Sequence, residues 1–279
     1  MKVMVLGASG LLGKALTREW HGDEIHGLSS RDVDIRDATK LRQAVAASRP
    51  DWIVLSAAYT NVDVCESDPD LAFAVNRDGA ANVAEAANRA GVKMLFISSD
   101  YVFDGNKTTP YEASDPRNPR SVYGRSKAEA EVELAKILPE CCIVRTSWLY
   151  GMGGKCFPDT ILKLAANRPS LDVVNDQHGC PTYTVDLARA IIQLCRKGAT
   201  GIVHATNAGN CSWFEFAQAI LKAAGLTTEV RPVSTAQMAR PAPRPPYSVL
   251  SPASLHRWGI ELPAWSDALH RYMQEREQS

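Results

Sequence analysis

The chain has 279 residues, enough to bury a sizeable core without disulfide or metal staples. Lys plus Arg and Asp plus Glu both number 31, the formal net charge is +0, and no block of like charge occurs. That balance excludes the electrostatic footprint of a nucleic-acid or membrane-surface partner, and 45% hydrophobic residues fit a soluble globular protein.

Val3-Met4-Val5-Leu6 reads as a first strand bounded by Gly7, too short for a signal peptide's apolar core. Gly7-Ala8-Ser9-Gly10-Leu11-Leu12-Gly13 follows it and opens a helix that carries Leu12 and Leu16. Glycines there allow a tight turn and let the backbone approach a pyrophosphate, while the helix N-terminus offers free N–H groups. Its place between strand and helix favours a dinucleotide-binding loop over a bare structural turn. Ile25-His26-Gly27-Leu28 is a weaker second strand. It leads into Ser29-Ser30-Arg31 rather than into the acid that would hold a ribose 2′-hydroxyl. Arg31 paired with a 2′-phosphate would favour NADPH, with NADH as the alternative; a solvated loop arginine is an equally good reading.

Further along, Leu41 and Val45 show helical spacing, and Trp52-Ile53-Val54-Leu55 is a strand. A long helix opens with Asp68 as N-cap and Pro69 at its first position. Its apolar line Ala72, Val75, Gly79, Val83, Ala86 runs to a stop at Gly91. Met94-Leu95-Phe96-Ile97 is a strand that ends in Ser98-Ser99-Asp100, and Ile143-Val144 and Leu171-Asp172-Val173-Val174 are later ones. Near-continuous apolar strands alternating with helices predict an α/β fold, a doubly wound parallel Rossmann sheet with right-handed crossovers. After Trp148 the texture changes to a Gly151–Gly154 loop and a proline-rich Arg240–Pro246 stretch, which can be neither helix nor inner strand. The expected division is an NAD(P)-binding domain over 1–148, rejoined by segments of about 171–207, and a smaller C-terminal substrate lobe from 149–170 and 208–279. Seven cysteines, an odd count without a Cys-x-x-Cys pair, read as reduced thiols in a cytoplasmic protein. No apolar run of membrane-spanning length is present.

Tyr123 and Lys127 are four apart in a helix-forming run and share a helix face. A phenol is a poor acid–base group at neutral pH, and an ammonium one turn away is expected to stabilise its phenolate. Tyr123 can then pass a proton to a developing alkoxide as hydride arrives from a cofactor. The pair alone is weak. Its strength comes from order along the chain, because Ser99 ends a strand whose carboxyl end lines the ligand crevice of an α/β sheet. Ser99 can hold a substrate carbonyl near Tyr123, against the blander reading of a turn residue, with Asp100 as a helix cap or loop charge.

Several blocks resemble the dTDP-4-dehydrorhamnose reductase family, within the extended short-chain dehydrogenase/reductase group. They are Ser98–Gly105, Tyr123–Lys127, Arg145-Thr146-Ser147-Trp148-Leu149-Tyr150, Asp176–Thr182 and Arg244-Pro245-Pro246-Tyr247-Ser248-Val249-Leu250. The likeness spans essentially the whole chain. It implies reduction of the C4 ketone of a dTDP-4-keto-6-deoxy-L-hexose to dTDP-L-rhamnose. It implies that Gly10, Leu11 and Leu12 meet the cofactor phosphates, that Asp34 and Ile35 lie at the adenine, and that Ala58, Tyr59 and Thr60 line the nicotinamide side. Val62, Ser99, Asp100, Tyr123 and Trp148 would face the sugar nucleotide. Trp148 taken singly is as easily a core residue.

Cys180 stands where the family usually has Ala, and Tyr247 where it commonly has Asn. Some relatives are described with magnesium held by glutamates at a dimer contact; Ala15 and Val185 occupy two of those positions, and six scattered His offer no other site, so no metal is expected. The expected assembly is a monomer or homodimer. A sugar-nucleotide dehydratase would need a second carboxylate where Tyr101 follows Asp100. A 4-epimerase and a non-catalytic NADP-binding regulatory subunit, like that of methionine adenosyltransferase, are the remaining rivals.

Overall fold

The computed structural model describes residues 1–278. In chain order the first elements are β1 (Lys2–Leu6), α1 (Leu11–Glu19), β2 (Glu24–Leu28), α2 (Ala38–Ser48), β3 (Trp52–Leu55), α3 (Val62–Ser67), α4 (Pro69–Phe73), α5 (Gly79–Ala90), β4 (Lys93–Ser99), α6 (Val122–Ile137) and β5 (Cys142–Thr146). There follow β6 (Leu149–Tyr150), α7 (Phe157–Ala165), β7 (Ser170–Val174), β8 (His178–Gly179), β9 (Thr182–Tyr183), α8 (Thr184–Arg196) and β10 (Gly201–His204). The chain closes with β11 (Cys211–Ser212), α9 (Trp213–Ala223), β12 (Glu229–Val233), α10 (Thr235–Met238), α11 (Ala253–His256) and α12 (Trp265–Glu277).

Six parallel strands form the central sheet in the order β2-β1-β3-β4-β5-β10. Val3, Val5, Val54, Leu95 and Val144 project to one face, against Leu12 and Leu16 of α1 and Leu187 and Ile191 of α8. Met4, Leu6, Ile53, Phe96 and Ile143 project to the other, against Leu41 of α2, Val83 of α5 and Leu134 of α6. Burial on both faces is why these strands read as unbroken apolar runs. The chain steps outward from β1 to β2 and then returns past β1 to β3. The order therefore reverses between β1 and β3, and the ligand crevice opens above their carboxyl ends.

The helix from Pro69 to Ala90 starts and stops where its caps predict. Asp68 accepts from Leu71 N at 3.1 Å, and Gly91 ends it with φ +65°. A π-helical turn over Ala74–Asp78 separates α4 from α5 and leaves Asn76 buried at 1% exposure. Such single turns cost regular hydrogen bonding and recur at functional sites.

The second lobe has its own core, with Tyr150, Ile161, Leu171, Phe216, Leu269 and Tyr272 among its side chains. Its composition corrects the expected division. The strand at Leu171–Val174 does not return to the main sheet; β7 pairs with β12 in a separate two-stranded sheet. The return begins with α8. Leu255, Ile260 and Leu262, expected in the substrate lobe, pack instead into the core around α8 and β10. Among the described residues no helix is long and apolar enough to cross a membrane.

Candidate active site

The glycine loop lies at the reversal point. Gly7 N and Ala8 N bond to Leu28 O, and Ser56 N and Ala57 N bond to Leu6 O, which ties the ends of β1, β2 and β3 together. Gly7 has φ +93°, and a Cβ on it would lie 2.5 Å from Ala57 N; a Cβ on Gly13 would lie 2.1 Å from Gly7 O. Only glycine fits this packing of helix onto loop. The first helical bond of α1 runs from Lys14 N to Gly10 O, so the N–H groups of Leu11, Leu12 and Gly13 precede the ladder and face the crevice end. No acidic residue occupies this first turn. An anionic diphosphate fits the cradle.

The other expected cofactor residues divide. Ala58, Tyr59 and Thr60 form the loop after β3, and Tyr59 is fixed by Asn76, which accepts from Tyr59 N at 2.8 Å and donates to Tyr59 O at 3.0 Å. Asn76 also donates to Ser126 Oγ at 3.0 Å, so the π turn fastens this loop to α6. Arg31 sits in an exposed turn after β2. The acid that sequence reading did not place there is Asp32, whose Oδ2 accepts from Ser29 N at 2.8 Å and Ser29 Oγ at 2.6 Å. Asp34 is paired with Arg36 at 2.6 Å. The Ile35 side chain is a core group against the position of Gly79, and its carbonyl accepts from Asn82.

Ser99, Asp100, Tyr123 and Lys127 meet at the carboxyl end of β4. Ser99 Oγ donates to Asp100 Oδ1 at 3.0 Å and accepts from Tyr101 N at 3.2 Å, and its hydroxyl is near enough to act on the Tyr123 phenol. Ser121 caps α6 through Gly124 N, and Glu66 of α3 accepts from Val122 N at 2.8 Å, which fixes the turn that carries Tyr123. The Tyr101 and Tyr123 rings meet edge to face at 5.6 Å. Burial pushes the Tyr123 phenol above its ordinary value, the Ser99 hydrogen bond works against that rise, and the Asp100 charge adds to it. This corrects the expectation of a phenol acidified by its neighbour. The Lys127 ammonium, 2% exposed, donates to Ile97 O at 2.6 Å and lies 4.1 Å from the centre of the Phe96 ring. Burial lowers it to about 7, and the Glu131 charge opposes the fall. The i,i+4 spacing gives the shared face, but desolvation dominates both groups.

Glu131, one turn beyond Lys127, is fully buried and was not singled out from the sequence. Arg145 binds it through Nε at 2.9 Å and the second guanidinium nitrogen at 2.7 Å; Ser98 Oγ donates at 2.6 Å and Arg117 at 3.0 Å. Burial alone would raise this carboxyl; Arg145 overrides it and holds the group below its ordinary value. The cluster pins the end of β4, at Ser98 beside Ser99, to α6.

Trp148 belongs to the aromatic floor of the second lobe. It stacks on Trp213 at 3.5 Å between ring centres and has φ +47°, a conformation rarely taken by a bulky residue. Val62 starts α3, and Cys180 is buried, its carbonyl accepting from Ser147 Oγ at 2.7 Å.

The family profile described as RmlD substrate binding domain matches residues 1–278. The chain is 41% identical to the dTDP-4-dehydrorhamnose reductase of Streptomyces griseus, over 95% of this chain and 91% of that protein. The chain belongs to the dTDP-4-dehydrorhamnose reductase family. The chain is also similar to the spore coat polysaccharide biosynthesis protein SpsK of Bacillus subtilis (strain 168), 43% identical over 99% of this chain and 98% of that one. Among solved members of the reductase family, the Bacillus anthracis str. Ames enzyme in complex with NADP superposes with a TM-score of 0.96 at 38% identity, covering 99% of this chain and 100% of the other. Ala15 and Val185 are buried here, and among the described residues no cluster of His, Cys, Asp and Glu could hold a metal.

Asp100 carries a pH signature. Burial raises its carboxyl from 3.8 to about 6, with Ser248 and Ser99 opposing the rise. The folded chain therefore keeps this proton up to about pH 6, whereas the unfolded chain loses it near 3.8. Stability falls as pH rises between those values and stays lowered above them. Asp100→Asn is expected to stabilise the protein by about 1–3 kcal/mol at pH 7 and by nothing at pH 3. Urea denaturation at both pH values measures this; an equal effect at the two would refute the burial account.

Proposed function

We infer that this chain reduces the C4 ketone of dTDP-4-dehydro-6-deoxy-L-mannose (dTDP-4-dehydrorhamnose) to dTDP-L-rhamnose, with NADPH as reductant and Tyr123 as proton donor. The observation that carries this reading is the Tyr123–Ser99–Asp100 array on the carboxyl end of β4, beside the glycine cradle. The names of the relatives supply the substrate class, and the NADP complex of the Bacillus anthracis enzyme supports the cofactor.

NADPH, when bound, supplies the hydride. Gly7, Gly10, Leu11, Leu12 and Gly13 would hold its diphosphate, Arg31 its 2′-phosphate, Asp34 and Ile35 the adenine, and Ala58, Tyr59 and Thr60 the nicotinamide side. Asp32, engaged by Ser29, is a weak competitor for a ribose hydroxyl there, which favours NADPH over NADH. Lys127 would exchange Ile97 O for the nearby ribose hydroxyls. Tyr123 donates to the ketone oxygen, joined by Ser99 when its hydroxyl turns from Asp100 to the substrate, and the neutral phenol protonates that oxygen as charge develops. A phenol held above its ordinary pKa is fully protonated at pH 7, which suits a donor in the reducing direction. Val62, Asp100 and Trp148 would orient the sugar nucleotide. We place the enzyme in the cytoplasm, as a monomer or homodimer, consistent with seven cysteines that are all free and buried.

The test is NADPH consumption with the 4-keto-6-deoxy-L-sugar made in situ from dTDP-glucose, followed by product identification. Formation of dTDP-L-rhamnose supports the reading. Binding of NADPH without consumption would point to the regulatory role, and an L-talo product would reject the assigned stereochemistry. Gly13→Ala, which forces a methyl against Gly7 O, is expected to weaken NADPH binding by at least about tenfold. Fluorescence titration measures it, and unaltered affinity would remove the phosphates from this loop.

A further inference from the structure

A side chain from the far end of the chain reaches the catalytic array. Ser248 Oγ donates to Asp100 Oδ2 at 2.6 Å across 148 residues of sequence, and both residues are buried, at 2% and 1% exposure. Asp100 makes no ion pair among the described residues; two hydroxyls hold it. Its two oxygens are divided, with Oδ1 taking Ser99 and Oδ2 taking Ser248.

Ser248 is placed by a strap without regular secondary structure, and three attachments fix that strap. Arg244 donates to Asp63 Oδ2 at 3.0 Å, and Asp63 Oδ1 accepts from Ala242 N at 3.2 Å, which ties the strap to α3. His178 N bonds to Pro246 O at 2.8 Å, and Ser248 N bonds to His178 O at 2.8 Å, which ties it to β8 of the second lobe. Tyr111 N bonds to Val249 O and Ser251 N to Tyr111 O, both at 2.8 Å, which ties it to the loop before α6. Two lobes therefore grip the segment on either side of one hydroxyl aimed at Asp100.

We propose that Ser248 is a positioning residue of the reductase site, holding Asp100, and through it the Ser99 hydroxyl, in register with Tyr123. This rests on the function inferred above. Without the Ser248 hydroxyl, Oδ2 loses its side-chain donor, Asp100 is free to turn, and ionising it costs more. The titratable groups that face Asp100 are Tyr101 beside it, Tyr123 from α6 and the Cys180 thiol from the loop before β9. Arg244 and Asp63 act on Tyr101, with opposite signs. None of these supplies a replacement donor to Oδ2.

Ser248→Ala is expected to lower kcat/KM at pH 7 by about tenfold. The Asp100 titration should also move upward by about one unit. The titration is read without turnover, by difference infrared of the carboxylic carbonyl in the full chain, with Asp100→Asn as the blank. Ser248→Thr, which keeps the hydroxyl, should restore at least one of the two. Unchanged kcat/KM and an unmoved titration in Ser248→Ala would overturn the proposal, as would a Thr variant that matches Ala in both measures. If the wild-type chain does not reduce the sugar, the inferred function fails instead, and the infrared titration still reports whether Ser248 controls Asp100.

Discussion

Tyr123→Phe is expected to cut turnover by about 10²–10⁴-fold, the range for loss of a positioned general acid. NADPH affinity should stay essentially unchanged. The substitution removes one oxygen and keeps the ring, so the edge-to-face contact with Tyr101 and the turn held by Ser121 and Glu66 persist. Only the phenolic hydroxyl and its proton are lost. With the phenol gone, the ketone oxygen must take its proton from water or from Ser99, whose hydroxyl is already committed to Asp100. Single-turnover NADPH oxidation and cofactor titration together check this. Wild-type-like turnover would remove Tyr123 from the chemistry, and a parallel loss of cofactor binding would make its role structural.

Glu131→Ala is expected to destabilise the fold by about 3–5 kcal/mol, because it leaves the Arg145 charge buried without its partner. Arg145 is 1% exposed, and its remaining contacts are Ala113 O and His204, both at 3.3 Å, and the face of Phe103 at 5.0 Å. His204 cannot share the charge; burial and the Arg145 guanidinium lower it to about 3, so it is neutral at pH 7. A melting temperature lower by roughly 10 °C is the calorimetric signature. The double variant Glu131→Ala, Arg145→Met should recover much of the loss, since an apolar replacement removes the stranded ion as well. A double variant no more stable than the single one would show that the carboxylate contributes by packing and not by charge.

The parts of the molecule legible in the sequence are those set by short-range rules. Two-sided burial makes β1, β3 and β4 near-continuous apolar runs, and Asp68, Pro69 and Gly91 mark the ends of a helix whatever surrounds it. The π turn inside that helix was not legible. It exists because Asn76 must reach Tyr59, 17 residues earlier, and local propensity carries no trace of that contact. Leu171–Val174 reads identically as a strand of either sheet; its pairing with Glu229–Val233 is a long-range outcome. In the site, spacing places Tyr123 and Lys127 on one face, and strand-end position supplies Ser99. Spacing cannot supply dielectric, and desolvation pushes the phenol up and the lysine down. Glu131 continues the same i,i+4 line and was within reach of that pattern, whereas Ser248 is recognisable only once the strap is folded across Asp100.

The proposed reduction makes the Tyr123 phenol the proton donor, has the Ser99 hydroxyl orient the acceptor oxygen, and has the glycine cradle bring a nicotinamide ring to the same end of the sheet. The measurement that tests this most directly is a single turnover with NADPH carrying deuterium at the nicotinamide C4, using each stereoisomer, in ordinary water. The account predicts that one isomer delivers one deuterium to C4 of the product hexose and to no other carbon, and that Tyr123→Phe slows this delivery. A reduced sugar without deuterium from either isomer, or deuterium left entirely on the cofactor while the sugar changes, would contradict it.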